Sequence, residues 1–254
     1  MVLDLFRLDG RVAVVTGSSR GLGAGMALAL AEAGADVVCV ERSETSTTAD
    51  AVRALGRRAH VVTADLGAAS PDELAAVVDD AVDTLGRVDV LVNNAGTIRR
   101  APAAEHPGAW WDDVLAVNLD AVWHLSQAAG RHMLERGSGK IVNVASMLSF
   151  QGGITVPGYT ASKHAVAGLT KALANEWAAR GVNVNAVAPG YMATDNTAAL
   201  RDDAARAESI GDRIPAGRWG TPADLAGAVV FLASDASAYV HGTVVPVDGG
   251  WLVR

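Results

Sequence analysis

The sequence has very little of what would mark a secreted, membrane-bound or nucleic-acid-binding protein. Cys39 is the only cysteine among 254 residues, so the chain forms no internal disulfide and no thiolate metal cluster. The net charge of −7 at pH 7 argues against a nucleic-acid or anionic-membrane partner. No apolar run approaches the ~18–20 residues that a membrane-spanning helix needs. We predict no catalytic metal either, because metal-ligand spacing is lacking at His106, His124, His132 and His241.

The first residues also lack the pattern of a secretory signal, which is a basic start followed by an apolar core. We therefore expect a cytoplasmic protein whose partner is a small molecule. Only 5% of the residues are aromatic, whereas 50% are hydrophobic, which suits tightly packed helices on a buried sheet. Because no repeat, low-complexity segment or linker interrupts the chain, we expect one domain over residues 1–254.

Short β-branched apolar runs alternate with Ala/Leu-rich stretches of helical length. Most of these runs are apolar throughout, which is the pattern of parallel strands covered on both faces. The sequence therefore predicts an α/β fold, a doubly wound parallel sheet with helices on both faces. The predicted strands are 11–16, 36–41, 59–63, 88–92, 140–145, 182–187 and 243–247. The irregular, polar segment 191–219 is either a mobile lid or an ordinary surface excursion.

A glycine-rich turn follows the first predicted strand and precedes a helical pattern. Its residues are Thr16-Gly17-Ser-Ser-Arg20-Gly21-Leu-Gly23. Glycines at such a turn let a pyrophosphate approach the backbone and meet the N–H groups that begin the helix. Many βα turns use glycine for geometry only, but the position after the first strand of an α/β chain favours dinucleotide binding.

The second predicted strand ends at Glu41, which Arg42 follows. An acidic residue about 20 positions beyond the glycines accepts hydrogen bonds from an adenosine ribose and repels a 2′-phosphate. That arrangement favours NAD. Arg20 and Arg42 favour NADP, since either guanidinium could bind a 2′-phosphate. NADP therefore remains possible. The alternative is that Glu41 is a solvated charge at a strand end.

Tyr159 and Lys163 are four residues apart in a predicted helix, so their side chains lie on one face. An ammonium group nearby favours phenolate and lowers the pKa of the phenol from its ordinary value of about 10. The pair is therefore a candidate proton relay for a carbonyl or hydroxyl group. The alternative is a surface pair in which the lysine stem covers apolar surface.

Two further polar residues fall at positions that favour catalysis. Ser146 follows the predicted strand 140–145, at the sheet edge where open α/β proteins place ligands; the alternative is a helix-capping or turn serine. Asn118 falls on a helical stripe of apolar residues, so we expect its amide to be buried and hydrogen-bonded. A satisfied core amide is the structural alternative. The stripe consists of Trp111, Leu115, Val122 and Leu125.

Together these motifs resemble the short-chain dehydrogenase/reductase family, and the likeness covers nearly the whole chain. The family implies a Rossmann fold with about seven parallel strands and nicotinamide-dependent interconversion of alcohols and carbonyls. Its members are usually tetramers. The motifs occur in the family's order as Thr16-Gly17-x3-Gly21-x-Gly23, Asp65-Leu66, Asn93-Asn94-Ala95-Gly96, Asn118, Ser146, Tyr159-x3-Lys163 and Pro189-Gly190.

The resemblance implies a role for each of these residues. Tyr159 is the acid/base, and Lys163 lowers its pKa and binds the nicotinamide ribose. Ser146 orients the substrate oxygen, and Asn118 holds a water that links the lysine to solvent. Asp65 could equally be a capping residue, and Pro189-Gly190 an ordinary turn. The implied cofactor contacts are Gly17, Ser19, Arg20, Gly21, Leu22, Gly23, Glu41, Asp65, Leu66, Asn93, Ala95, Gly96, Tyr159, Lys163, Pro189, Gly190, Met192 and Thr194.

A narrower likeness concerns the substrate. Residues 97–100, 146–153, 188–194, 213–220 and 247–254 resemble the bacterial 2-dehydro-3-deoxy-D-gluconate 5-dehydrogenases, also called 2-deoxy-D-gluconate 3-dehydrogenases. This likeness implies an NAD(H)-dependent enzyme that interconverts a keto group and a secondary alcohol on a deoxy sugar acid.

A sugar acid needs a cation for its carboxylate, and Arg99, Arg100 and Gln151 are the candidate substrate contacts. Solvated surface arginines are the alternative. Other possible substrates in the family are a 3-oxoacyl thioester, a steroid or a polyol. From another class, a nucleotide-binding scaffold without turnover is the rival.

Overall fold

The computed structural model describes residues 1–254 except for the side chain of Asn196. Seven strands pair in parallel to form one sheet. They are β1 Val12–Thr16, β2 Asp36–Glu41, β3 Ala59–Thr63, β4 Val90–Asn93, β5 Gly139–Val144, β6 Val182–Pro189 and β7 Val244–Val247. Their order in the sheet is β3-β2-β1-β4-β5-β6-β7, so the winding reverses between β1 and β4. The predicted doubly wound α/β sheet is confirmed.

Nine α-helices are described in addition to short 3-10 turns, and they cover both faces of the sheet. They are α1 Gly21–Glu32, α2 Thr47–Ala54, α3 Pro71–Leu85, α4 Gly108–Leu115, α5 Ala121–Arg136, α6 Pro157–Trp177, α7 Ala198–Arg201, α8 Ala204–Arg213 and α9 Pro222–Ala233. Residues of α1, α2 and α9 pack on one face, and residues of α3, α5 and α6 pack on the other. Among these described helices, none has the length and apolar character needed to cross a bilayer.

The strands are apolar throughout because each one contributes to two cores. In β1, Val12 and Val14 pack among residues of α3 and α5, whereas Ala13 and Val15 pack among residues of α1 and α9. All four side chains are at most 1% exposed. This double burial explains why the strand sequences do not alternate between apolar and polar residues.

Helices α4 and α5 are joined by a π-helical turn over Ala116–Asp120. The sequence predicts an uninterrupted helix here, because one inserted residue hardly alters the spacing of the apolar positions. Such turns are rare and often mark functional sites. The predicted stripe is correct for Val122 and Leu125, which are buried, but not for Trp111, which is 39% exposed.

Candidate active site

A cavity of about 740 Å³ lies at the carboxyl ends of the strands, beside the reversal between β1 and β4. Open α/β sheets place their ligands at this position. The loops after β1, β2, β3, β4 and β5 contribute to its wall, together with α6 and α8. The predicted residues that the structure brings to this wall are Gly17, Ser19, Arg20, Gly21, Leu22, Gly23, Glu41, Asp65, Leu66, Ala95, Gly96, Arg100, Ser146, Gln151, Tyr159, Lys163, Gly190 and Thr194.

Three of the predicted cofactor contacts do not lie on this wall. Asn93 is buried and donates to Ser126 Oγ at 3.0 Å and to Asn143 Oδ1 at 2.9 Å, so it ties β4 to the neighbouring β5 and α5. Pro189 is the last residue of β6, and Met192 lines a separate cavity of about 160 Å³. Contact of these three residues with a cofactor stays a prediction.

The glycine-rich turn is built so that the backbone lies open to a ligand. Gly17 has a φ of +63°, a conformation that side chains with a Cβ rarely adopt. A Cβ on Gly23 would lie 2.1 Å from the Gly17 carbonyl oxygen, so only glycine fits there. Asn94 fixes the turn by donating to the carbonyls of Thr16 and Gly17 at 2.9 and 3.1 Å. Asn94 was not among the predicted cofactor contacts, although it is the second residue of the Asn-Asn-Ala-Gly motif.

Glu41 lies at one end of the cavity with one carboxylate oxygen unused. Its Oε1 accepts hydrogen bonds from Ser18 Oγ at 3.0 Å and from Ser46 Oγ at 2.7 Å. Its Oε2 is buried and has no hydrogen-bond partner within the described part of the chain. A buried oxygen of this kind is costly unless a ligand donates to it. The arrangement fits the ribose hydroxyls of a nicotinamide dinucleotide whose pyrophosphate lies at the start of α1.

The two arginines near Glu41 differ in their surroundings. The guanidinium of Arg20 lies 3.3 Å from the Asp195 carboxylate, and both side chains are largely exposed. This ion pair links the glycine-rich turn to segment 191–219, which contributes Thr194, Asp195 and Arg206 to the wall. Arg42 is exposed and lines the cavity directly after Glu41. Arg42 is therefore the better placed of the two arginines for a 2′-phosphate.

Asn118 is fully buried in the π-helical turn. Its Oδ1 accepts from the backbone N–H of Thr97 at 2.8 Å, and its Nδ2 donates to the Thr97 carbonyl at 3.0 Å. The same Nδ2 lies 3.2 Å from Ser162 Oγ, which donates to the Tyr159 carbonyl. The amide therefore holds the loop after β4 against the start of α6, the helix that carries Tyr159. Its side-chain amide is thus fully hydrogen-bonded, and its role in holding a water that links Lys163 to solvent stays a prediction.

Tyr159, Lys163 and Ser146 line the same part of the cavity. Lys163 is 4% exposed, and its Nζ donates to the Val144 carbonyl at 2.6 Å. That Nζ lies 5.6 Å from the centroid of the Tyr159 ring. Ser146 is 6% exposed, and its Oγ accepts from the Leu148 N–H at 3.1 Å. Ser146 therefore caps a 3-10 turn and still presents its hydroxyl to the cavity.

Burial governs the protonation of the two titrating residues. It raises the pKa of Tyr159, while the Ser146 hydroxyl and the positive charge of Arg100 act in the opposite direction. Burial lowers the pKa of Lys163 from 10.5 to about 8. Burial therefore favours the protonated phenol at neutral pH. The expectation that the ammonium of Lys163, 5.6 Å from the ring centroid, lowers the pKa of Tyr159 stays a prediction.

The three predicted substrate contacts differ in what they touch. Arg99 donates to the Asp113 carboxylate at 3.0 Å and does not reach the cavity wall. Arg100 lines the cavity. Gln151 also lines it, but its Oε1 accepts from the indole N–H of Trp251 at 3.1 Å. The sequence prediction assigned no role to Trp251, Arg206 or Arg213, which lie on the same wall.

Residues 17–252 match the family model described as enoyl-(acyl carrier protein) reductase. The chain is 56% identical over 255 residues to the 2-dehydro-3-deoxy-D-gluconate 5-dehydrogenase of Escherichia coli K12, with 100% of each chain covered. The chain belongs to the short-chain dehydrogenase/reductase family. This dehydrogenase/reductase is also 54% identical to the enzyme of the same name from Bacillus subtilis 168, with 99% and 98% covered.

One solved structure shows a related protein with bound ligands. The gluconate 5-dehydrogenase of Burkholderia cenocepacia J2315, in complex with NADP and tartrate, is 43% identical to this dehydrogenase/reductase. The two chains superpose with a TM-score of 0.96, and 100% of each is covered. The chain is therefore an NAD(P)-dependent oxidoreductase of the short-chain type, and the rival reading as a scaffold without turnover is set aside.

Proposed function

We propose that this enzyme interconverts a keto group and a secondary alcohol on a deoxy sugar acid of the 2-dehydro-3-deoxy-D-gluconate type. The observation that carries the proposal is the convergence of Ser146, Tyr159 and Lys163 on one cavity whose other end is a dinucleotide turn. The substrate class is supported by the names of relatives that match the chain over their full length. The acidic and basic residues of the cavity wall support it independently.

The acidic groups of the cavity wall lie mainly on one side of the reversal in the sheet. There Glu41 ends β2 and Asp65 follows β3, with Arg20 and Arg42 on the same part of the wall. On the other side, the wall has the cations of Arg100, Arg206 and Arg213. The acidic group that the described residues contribute there is Asp195, which pairs with Arg20. A substrate with a carboxylate suits such a surface.

The proposed reaction divides the work between the cofactor and the chain. When bound, the nicotinamide supplies or accepts the hydride. Tyr159 gives its phenolic proton to the carbonyl oxygen during reduction and takes it back during oxidation. Ser146 donates a hydrogen bond that orients this oxygen. Lys163, with its ammonium fixed on the Val144 carbonyl, holds positive charge beside the phenol and would bind the nicotinamide ribose.

We propose that NAD(H) is the preferred cofactor and that NADP(H) is also accepted. The unpaired Oε2 of Glu41 supports NAD, because a carboxylate at this position accepts from ribose hydroxyls and repels a 2′-phosphate. Arg42 on the wall beside it supports acceptance of NADP. The NADP bound to the Burkholderia relative agrees with a site that tolerates the extra phosphate.

We also propose that residues 1–254 act as one domain and assemble into a homotetramer in the cytoplasm. Trp110, Trp111 and Trp123 on α4 and α5 are between 36% and 39% exposed, and large aromatic residues left on a surface favour association. Light scattering on the purified protein tests this point. The expected mass is four times the 26.0 kDa of the chain, and the mass of a monomer would refute it.

The activity itself is tested by a panel of substrates with both cofactors. Sugar acids, neutral polyols and a 3-oxoacyl thioester are each assayed with NADH and NADPH, or with the oxidised forms for alcohols. We expect the highest kcat/KM for the deoxy sugar acid with NAD(H). A higher value for the thioester or the polyol would overturn the proposed substrate, although the reaction class would stand.

A further inference from the structure

Helix α8 presents a basic face to the cavity. Arg206, Ile210 and Arg213 are spaced four and three residues apart, so they lie on one face of the helix. Ile210 is 6% exposed and packs in a cluster with Met147 and Trp251, while both arginines line the cavity. The buried isoleucine therefore turns the two guanidinium groups towards the site that holds Ser146.

Trp251 fixes the position of one of these arginines. The guanidinium carbon of Arg213 lies 4.0 Å from the centroid of the Trp251 ring, a distance at which an arginine stacks on an indole. Trp251 is itself 6% exposed and donates its N–H to Gln151. Gln151 belongs to the loop that begins at Ser146, so a continuous set of contacts connects Arg213 to the catalytic serine.

The end of α8 is tied to the carboxyl-terminal segment by two hydrogen bonds, one between main-chain groups and one from a side chain. The Ala216 N–H donates to the Gly249 carbonyl at 2.9 Å, and Arg254 Nη1 donates to the Asp212 carbonyl at 2.7 Å. These bonds flank Arg213 on both sides in the chain. The backbone is thus anchored on both sides of Arg213.

The guanidinium of Arg213 has no acidic partner within the described residues. Ion pairs are found for Arg99 with Asp113 and for Arg218 with Asp224, but none involves Arg213. An arginine that is stacked, oriented and free of a carboxylate retains its fork of N–H donors for a planar anion.

We propose that Arg213, stacked on Trp251, binds the carboxylate of the substrate and sets the preference for acids over neutral compounds. The inference deepens the proposed function and rests on it. It also changes the role of Gln151, which positions Trp251 instead of binding the substrate directly.

The first part of the test uses turnover. Arg213→Ala and Arg213→Lys are compared with the wild type on the deoxy sugar acid and on its neutral amide. We expect Arg213→Ala to raise KM for the acid about tenfold or more and to leave kcat and the KM of the amide within about threefold. Arg213→Lys keeps the charge but loses the stacked fork, so it restores only part of the affinity. Equal increases in KM for acid and amide would overturn the proposal.

The second part does not depend on turnover. Calorimetry measures the binding of tartrate to the cofactor-loaded wild type, to Arg213→Ala and to Arg7→Ala, whose arginine pairs with Asp9 outside the cavity. We expect Arg213→Ala alone to weaken tartrate binding about tenfold or more. If the wild type does not turn over sugar acids but tartrate binding still depends on Arg213, the proposed substrate fails and the carboxylate site stands. If Arg213→Ala leaves both the KM of the acid and the tartrate affinity within twofold of the wild type, the site itself is refuted.

Discussion

The Nζ of Lys163 donates a hydrogen bond to the main-chain carbonyl of Val144 at 2.6 Å. Burial in this site lowers the pKa of the lysine to about 8. At neutral pH the folded protein therefore holds a buried charge that is hydrogen-bonded to a neutral carbonyl group and pairs with no carboxylate among the described residues. This arrangement favours catalysis at the expense of the stability of the cofactor-free protein.

Replacing this charge should stabilise the protein and inactivate it. We expect Lys163→Met to raise the free energy of unfolding of the cofactor-free protein at pH 7 by ~1–3 kcal/mol, because the buried charge is removed. In the wild type this penalty disappears as the pH rises from 8 towards 10.5, since the folded lysine loses its proton before the unfolded one. Urea denaturation at pH 7 and pH 10 measures both effects. A variant less stable than the wild type at pH 7 would contradict the prediction.

Removal of the Tyr159 hydroxyl should stop the reaction without removing the cofactor. We expect Tyr159→Phe to lower kcat by at least about 10²-fold, because the phenol is the group proposed to exchange a proton with the substrate oxygen. The affinity for NADH, measured by fluorescence, should stay within about threefold of the wild type. Retention of most of the wild-type kcat would show that another group transfers the proton.

Arg100 should set the pH range of the reaction. Its positive charge lowers the pKa of Tyr159, so its removal raises that pKa further. We expect Arg100→Ala to move the rise of kcat/KM for alcohol oxidation to higher pH, because oxidation needs the phenolate. Arg99→Ala is the matched control, since Arg99 pairs with Asp113 away from the cavity. Identical pH profiles for the two variants would mean that Arg100 does not act on the phenol.

The choice of cofactor should depend on the balance between Glu41 and Arg42. Glu41→Gln keeps the shape of the side chain and removes the charge that repels a 2′-phosphate. We expect the ratio of kcat/KM for NAD to that for NADP to fall about tenfold, a change of 1.4 kcal/mol. Arg42→Ala should shift the same ratio in the opposite direction. The prediction fails if neither variant changes the ratio or if both shift it the same way.

Gly23 should tolerate no side chain, because a Cβ there would lie 2.1 Å from the Gly17 carbonyl oxygen and 2.5 Å from Asn94 Nδ2. We expect Gly23→Ala to lower the melting temperature and to abolish the increase that NADH gives the wild type. Gly227→Ala, in α9, is the control. A Cβ there meets no atom within 4 Å, so this change should stabilise the protein by ~0.5–1 kcal/mol. Normal cofactor binding by Gly23→Ala would refute the role of the turn.

Much of the fold is predictable because the sheet is buried on both faces. Each of the seven predicted strands is present. The largest errors are two residues, at the start of β4, which begins at Val90, and at the end of β6, which runs on to Pro189. The π-helical turn at Asn118 was not predictable, since an inserted residue leaves the apolar spacing nearly intact. The stacking of Arg213 on Trp251 was not predictable either, because it joins two elements far apart in the chain. Nor does the sequence show that, of two adjacent arginines, only Arg100 faces the cavity.

Cys39 has a practical consequence for work on this enzyme. It is 0% exposed beneath the cofactor end of the cavity, and burial raises the pKa of its thiol to about 11. A thiol that is both protonated and shielded reacts slowly with alkylating agents and oxidants. The native protein therefore reacts very slowly with maleimide dyes. A single cysteine introduced at an exposed position such as Asp195, beside the mouth of the cavity, would be labelled alone and would report the approach of each ligand.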